Sequence, residues 1–383
     1  MERVFSGIQF RGELEVRQTR ELSDAKTATL EGLVDDEGLR AEIDRINLQI
    51  LELLSRGGEL VCEIGRISST QSDRTFDPEG EQGMLDRLIQ ANRGPYPNGF
   101  IAHLFKEIFK ASLNLEHNHS PLLSSRVGHP EGTVVCVKGI AIGSDVPAVI
   151  AGPCSVESEE QIRLIAQEVK DQGVWVLRGG AFKPRTSPYT FQGLGKEALI
   201  YLAQVSAELG LVTVCEVMDT RDVDLVAEHV DILQVGSRNM SNFALLKEVG
   251  RRDYPVLLKR GMAATIEEFL YAAEYVLSEG NTQVILCERG IRTFETWSRN
   301  TLDITAIAIL KQKTHLPIIA DISHSAGRRD LALPLAKACL AAGADGIMVE
   351  VHNAPELALS DKEQQLNFDE FRHLMTNIQP MLS

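Results

Sequence analysis

Residues 148–178 read AVIAGPCSVESEEQIRLIAQEVKDQGVWVLR, and this stretch decides the fold. The apolar run 148–151 is too short for a helix and suits a strand buried on both faces. Residues 159–170 read as a helix, and 174–178 is a second apolar run. Strand, helix and strand within about thirty residues make one βαβ unit. The same rhythm continues to the end of the chain. Further strand-like runs are 211–217, 231–235, 256–259, 283–287, 318–321 and 346–351, with helical stretches such as 197–209, 266–277, 302–312 and 328–342 between them. Eight such units in about 240 residues predict an α/β fold, a (β/α)8 TIM barrel. A doubly wound sheet would place a glycine-rich phosphate fingerprint after its first strand, and Gly152-Pro153-Cys154-Ser155 is not one.

Working back from the first strand, residues 133–142 carry two short apolar runs around Lys138-Gly139, the pattern of a hairpin. Upstream the period changes. Leu39, Ile43, Ile46, Ile50, Leu53, Leu54, Leu60, Val61 and Ile64 recur at three- and four-residue steps, predicting one long amphipathic helix. Gly57 and Gly58 lie inside it, each costing about 1 kcal/mol relative to alanine. Helices are also predicted at about 81–91 and 100–115. The expected organisation is an extension over 1–34, a small three-helix all-α domain over 35–118, a linker over 119–132 rich in Ser, His, Pro and Gly, and the barrel over 133–383.

The chain has 383 residues, 44% hydrophobic and 24% charged, with a formal net charge of −15. That charge argues against nucleic acid and acidic membranes as partners, since both require a basic face. No apolar run approaches the ~20 residues that span a bilayer, and the first residues lack a signal-peptide core. The six cysteines are scattered without metal-knuckle or redox spacing, so the expected setting is the reducing cytoplasm. Five of them are expected as buried small hydrophobes, and Cys154 is the exception.

Catalytic groups of such barrels gather at the C-terminal ends of the strands. Those ends carry Cys154; Arg178 and Lys183; Arg238; Lys259 and Arg260; Arg289; His324; and Glu350. At least five cations at one mouth of an acidic protein imply phosphorylated substrates, more than one of them. Cys154, His324 and Glu350 suit a divalent transition metal better than calcium or magnesium, and Asp361 on the last loop supplies a fourth donor. The chemistry implied is condensation of phosphorylated small molecules with a metal polarising a carbonyl. Arg292 and Glu216 are further polar residues near the mouth, for which a structural salt bridge is an equal reading.

Several blocks are similar to signatures of the 3-deoxy-D-arabino-heptulosonate 7-phosphate (DAHP) synthase family. They are Gly152-Pro153-Cys154-Ser155, the run 177–187 (LRGGAFKPRTS), Leu258-Lys259-Arg260-Gly261, Cys287-Glu288-Arg289-Gly290, Ile322-Ser323-His324-Ser325, Val349-Glu350-Val351-His352 and Leu359-Ser360-Asp361. The resemblance implies metal-dependent condensation of phosphoenolpyruvate with erythrose 4-phosphate at the entry to aromatic amino-acid biosynthesis. By that resemblance Cys154, His324, Glu350 and Asp361 are the metal ligands, with Mn2+ first and Fe2+, Co2+ or Zn2+ also compatible. Arg178, Lys183, Arg238, Lys259 and Arg289 match the phosphoenolpyruvate site. Pro184, Arg185, Thr186 and Ser187 match the erythrose 4-phosphate end, with Arg185 on the sugar phosphate. Lys183, between the substrates, is the candidate proton donor to the aldehyde oxygen, so Lys183, Cys154 and His324 form the catalytic set. The octulosonate 8-phosphate synthases are the alternative. They carry Ala-Asn where this chain has the single residue Pro184, and a shorter, φ-locked loop fits the shorter sugar.

The helical segment resembles the all-helical chorismate mutases through Leu39-Arg40, Glu63-Ile64-Gly65, Phe76-Asp77-Pro78 and the run 104–110 (LFKEIFK). Arg40, Asp77, Glu81, Ser112 and Glu116 fall at positions of that site. A second clamping arginine, a lysine and another arginine of the pattern are replaced by Gly57, Ser68 and Gly80. Arg56 and Arg66 are near in sequence but point about 100° and 200° away around the helix. The resemblance therefore implies a regulatory or oligomerisation module, sensing chorismate or prephenate, in a homodimer or homotetramer; a bifunctional enzyme is the alternative.

Overall fold

The computed structural model describes residues 36–68, 78–119, 122–183, 187 and 189–382. They fall into two compact units divided after residue 120. The predicted extension 1–34 lies outside the described residues.

The first unit consists of α1 (Asp36–Ser68), α2 (Pro78–Ala91) and α3 (Asn98–His119). Pro78 opens α2, where its missing N–H has no intrahelical partner to lose. Asn92 ties the following turn by donating from Nδ2 to Tyr96 O and Asn98 Oδ1, both at 2.9 Å. Gly57 and Gly58 do not interrupt α1. At 33 residues α1 is about 50 Å long, well beyond the reach of the 14-residue α2 and 22-residue α3. The stripe predicted as a core face is thus left open: Ile43, Ile50 and Leu53 are 57%, 50% and 72% exposed. Among the described residues of this unit, Leu85 is the buried hydrophobe. The period gave the helix correctly, but three unequal helices have too little partner surface to cover it.

The second unit begins with the predicted hairpin, β1 (Val135–Val137) against β2 (Ile140–Ile142), turning at Lys138 (φ 47°) and Gly139 (φ 84°). Eight parallel strands then close a barrel: β3 (Ala148–Gly152), β4 (Val176–Arg178), β5 (Val212–Val217), β6 (Ile232–Val235), β7 (Val256–Lys259), β8 (Val284–Glu288), β9 (Ile318–Asp321) and β10 (Gly346–Glu350). The last strand pairs with the first, Met348 beside Ile150. The intervening helices are α4 (Glu159–Asp171), α5 (Lys196–Leu209), α6 (Val223–Ala227), α7 (Phe243–Gly250), α8 (Ile266–Leu277), α9 (Ile304–Lys313), α10 (Ile322–Ala326), α11 (Ala332–Ala341) and, after β10, α12 (Phe368–Ile378). Capping boxes set the starts of α8 (Thr265, Glu268) and α12 (Asn367, Glu370).

Two cores result. One lies between sheet and helices, with Ile162, Leu199, Leu202, Phe269 and Phe371 buried against the outward-facing strand residues. The other fills the barrel: Ile150, Val176, Ile232, Ile285 and Met348 pack on Val135, Val137 and Ile142 of the hairpin. The hairpin closes the end from which the strands start, so the open end is the one where they finish. Among the described residues no helix is long and apolar enough to cross a membrane.

Cys215, Cys287 and Cys339 are buried as expected, but Cys62 is half-buried and Cys136 exposed. The reasons are local. Cys62 belongs to the sparsely covered α1, and Cys136 faces outward between the inward Val135 and Val137.

Candidate active site

The ends of β3 and β4 approach closely because Gly152 (φ 150°) has no side chain; a Cβ there would lie 2.0 Å from Arg178 O. That approach brings Arg178 Nη1 to 2.7 Å from Pro153 O and sets Cys154 beside Arg178, fully buried. His324 rises from α10, which follows β9 directly, and Glu350 is the last residue of β10. Asp361 sits on the next loop in a left-handed conformation (φ 47°), which aspartate tolerates better than most residues.

Donor atoms of Cys154, His324, Glu350 and Asp361 all lie within 4.8 Å of one another. His324 Nε2 is 3.3 Å from Glu350 Oε1 and 3.8 Å from Asp361 Oδ2, and Cys154 Sγ is 3.5 Å from Asp361 Oδ2. Burial, then the Glu350 charge, pushes the Cys154 thiol up to about 11. Glu350 stays below the usual carboxylate range: burial opposes its charge, but His324 and Arg178 outweigh it. A soft sulfur, an imidazole and two carboxylates within reach of one point form a donor set for a divalent transition metal.

His324 is oriented from behind. Asp321 accepts from its backbone N at 2.9 Å and from Nδ1 at 2.8 Å, so Nδ1 carries the proton and Nε2 turns its lone pair to the cluster. Asp321 is buried and also pairs with Lys259. Burial opposes its charge, yet His324 and Lys259 hold its carboxyl well below the ordinary value. A depressed folded-state value contributes stability above the unfolded pKa and loses it as pH falls toward the folded one. We expect Asp321→Asn, which leaves Lys259 buried without its counter-charge, to lower unfolding free energy by about 3–5 kcal/mol at neutral pH. Denaturant melts at pH 7 and in acid check this: the gap from wild type narrows below about pH 4, where the wild-type contribution is itself being lost.

Arg178, Lys183, Arg238, Lys259 and Arg289 line one cavity of about 360 Å³, with His324 and Asp361 also in its wall. Arg178 Nη1 donates to Glu350 Oε1 at 2.6 Å, while its Nε is buried with no hydrogen-bond partner among the described residues. Burial works against the Arg178 charge, but Glu350 and its neighbours raise its pKa. Lys183 Nζ donates to Cys154 O at 2.8 Å and lies 3.1 Å from Cys154 Sγ. Arg289 donates to Gly290 O and His324 O; burial, with the Arg299 charge nearby, lowers its pKa. Arg260 does not join the mouth, because Glu288 and Asp303 hold its Nη1 at 2.9 and 3.0 Å. Glu216 lines the cavity, whereas Arg292 is exposed.

Ser187 lines the same cavity; Pro184, Arg185 and Thr186 lie outside the described residues. Sequence reasoning missed Arg299, a further cation of the wall, because its loop has no periodicity to place it. It also missed Asp321, whose signal was present: an aspartate three residues before a strand-end histidine is both its N-cap and its orienting carboxylate. In the helical unit Arg40 is exposed and bonded to Asp36 at 2.9 Å, Arg56 is exposed and bonded to Glu59 at 2.8 Å, and Ser112 is half-buried on α3. Asp77 and the side chains of Glu81 and Glu116 lie outside the described residues.

Comparison with known proteins follows the division of the chain. The chorismate mutase type II model matches residues 39–117, and the DAHP synthetase I family model matches residues 124–382. The phospho-2-dehydro-3-deoxyheptonate aldolase of Thermotoga maritima is 52% identical over 259 residues, covering 68% of this chain and 77% of that protein. A crystal structure of the Thermotoga maritima protein superposes with a TM-score of 0.67 at 51% identity, over 68% of this chain and 76% of that one. The 2-dehydro-3-deoxyphosphooctonate aldolase of Nitrosococcus oceani is 32% identical, over 56% of this chain and 81% of that protein. A family match spanning the whole barrel, a closely superposing relative and four converging donors beside a cation-lined cavity agree: the chain belongs to the DAHP synthetase I family.

Proposed function

We propose that the barrel joins phosphoenolpyruvate to erythrose 4-phosphate, with water, to give DAHP and inorganic phosphate. The observation that carries this reading is a cavity lined by six cations, Arg299 among them, whose wall includes His324 and Asp361 of the four-donor cluster they form with Cys154 and Glu350. Arg178, Arg238, Lys259 and Arg289 hold the phosphate and carboxylate of phosphoenolpyruvate and offset the repulsion between two polyanions. Pro184, Arg185, Thr186 and Ser187 receive the four-carbon sugar phosphate. Cys154, His324, Glu350 and Asp361 would hold a divalent metal, Mn2+ in first place, which would supply Lewis-acid polarisation of the aldehyde. Lys183 reaches the same region and gives a proton to the aldehyde oxygen as carbon 3 of phosphoenolpyruvate bonds to the aldehyde carbon. Water then adds at carbon 2, and phosphate leaves by carbon–oxygen cleavage.

The four-carbon sugar is preferred over arabinose 5-phosphate because the single Pro184 shortens the loop after β4. The relative bearing the heptonate name is 52% identical, against 32% for the octonate one, which agrees with that preference. Metal-stripped full-length protein refilled with Mn2+ should consume phosphoenolpyruvate with erythrose 4-phosphate and not with arabinose 5-phosphate. Consumption with the pentose alone moves the protein to the octulosonate branch, and no consumption with either sinks the reading.

For the helical unit we propose a regulatory and oligomerising role in the cytoplasm, without mutase turnover. A second copy would cover the open stripe of α1, making a homodimer or homotetramer, and chorismate or prephenate is the effector class its ancestry suggests.

A further inference from the structure

We propose that Gln364 is a positioning residue of the metal centre, a neutral clamp that fixes the spacing of its two carboxylates. The inference rests on reading Cys154, His324, Glu350 and Asp361 as the ligands. Gln364 is 3% exposed. Its Nε2 donates to Glu350 Oε2 at 2.6 Å and reaches Asp361 Oδ2 at 3.5 Å, so one NH2 group spans both acids. The other Glu350 oxygen, Oε1, is taken by Arg178 and faces His324 Nε2. The two contacts on Glu350 therefore fix its carboxylate plane.

The orientation of the amide is forced by chemistry. Gln364 Oε1 accepts from Arg299 Nη1 at 2.9 Å, and a guanidinium offers only donors. A flipped amide would set NH2 against that cation and an oxygen against Glu350 Oε2, which is repulsive at both ends. Arg299 Nη1 also lies 3.4 Å from Asp361 Oδ2, closing a ring of Arg299, Gln364 and Asp361. The backbone around Gln364 is anchored as well: Leu366 N donates to Glu350 O at 2.8 Å and His352 N to Leu366 O at 2.9 Å. Gln364 thus joins the loop that carries Asp361 to the strand that carries Glu350.

A positively charged clamp would compete with the metal for the carboxylates, and a carboxylate would add repulsion. A buried amide does neither, while its hydrogen bonds are unscreened by water. Loss of such an outer partner of a metal ligand lowers metal affinity about 10–100-fold.

The test titrates Mn2+ into metal-stripped full-length wild type, Gln364→Met, Gln364→Asn and Cys154→Ser, with melting of each metal-free protein alongside. Methionine keeps the length without the N–H; asparagine keeps the amide but is one methylene too short to reach Glu350. The expected result is that both weaken Mn2+ binding by about 10–100-fold while the metal-free melts stay close to wild type. Wild-type affinity in both variants overturns the proposal. So does lowered melting with unchanged affinity, which makes Gln364 a structural residue only. If the wild type binds no Mn2+, or Cys154→Ser binds it equally well, the ligand reading itself fails, an outcome distinct from the other two.

Discussion

Replacing Cys154 with serine is expected to lower kcat/KM for the condensation about a thousandfold and to abolish stoichiometric metal. Sγ is buried, within 3.5 Å of Asp361 Oδ2 and 3.1 Å of Lys183 Nζ, and is the soft member of an otherwise nitrogen-and-oxygen donor set. Serine keeps the shape and removes that softness. Polarisation of a carbonyl by a bound metal is worth several kcal/mol, and each 1.36 kcal/mol is tenfold in rate, so about 4 kcal/mol gives about three decades. The thiol titrates near 11 because it is buried beside Glu350, so at neutral pH it is protonated before metal arrives. Metal binding must then release that proton, and wild-type affinity should rise by about tenfold per pH unit across the neutral range. In Cys154→Ser that slope should be lost. Metal content by atomic absorption, steady-state rates and a pH series of metal titrations check the three parts. A serine variant that turns over at the wild-type rate after chelation would mean the cluster is not the reaction's metal site.

Much of this centre was legible in the sequence because a barrel converts strand ends into neighbours. Arg178, Lys259 and Glu350 each terminate a strand, so recognising the alternation was enough to place them at one mouth. Arg260 shows the limit of that logic. It follows Lys259 directly, but successive residues point to opposite sides, and two acids from β8 and the following loop hold it outside. Arg299 and Gln364 were not legible, because they come from loops whose path depends on what they bind. Asp361 was found by its residue type and its family block, and its left-handed backbone could not have been foreseen. The helical unit presents the converse case. The period of α1 was plain, but burial depends on partner surface that a period does not report.

Chorismate should turn over on the full-length protein at least a thousandfold more slowly than on an ordinary helical mutase. A mutase of this kind performs no covalent chemistry with its side chains; it clamps two carboxylates and hydrogen-bonds the breaking ether oxygen. Where the pattern asks for two arginines and a lysine, this chain has Gly57, Gly80 and Ser68. One preorganised donor lost costs about 2–4 kcal/mol of transition-state stabilisation, a hundredfold to a thousandfold in rate. Three lost together exceed that even when their effects are far from additive. The nearby cation on α1 does not substitute: Arg56 is exposed and pairs with Glu59 at 2.8 Å. Arg40, which the pattern retains, is also exposed and pairs with Asp36 at 2.9 Å. Loss of chorismate absorbance measures the rate directly, and turnover within tenfold of an ordinary mutase would restore the bifunctional reading. At Gly57 the converse experiment is sterically open. A Cβ at Gly57 meets nothing within 4 Å, and replacing a mid-helix glycine stabilises the helix by up to about 1 kcal/mol. Gly57→Arg combined with Ser68→Lys and Gly80→Arg should raise chorismate turnover above wild type, because the fold has kept the helices and lost the clamps.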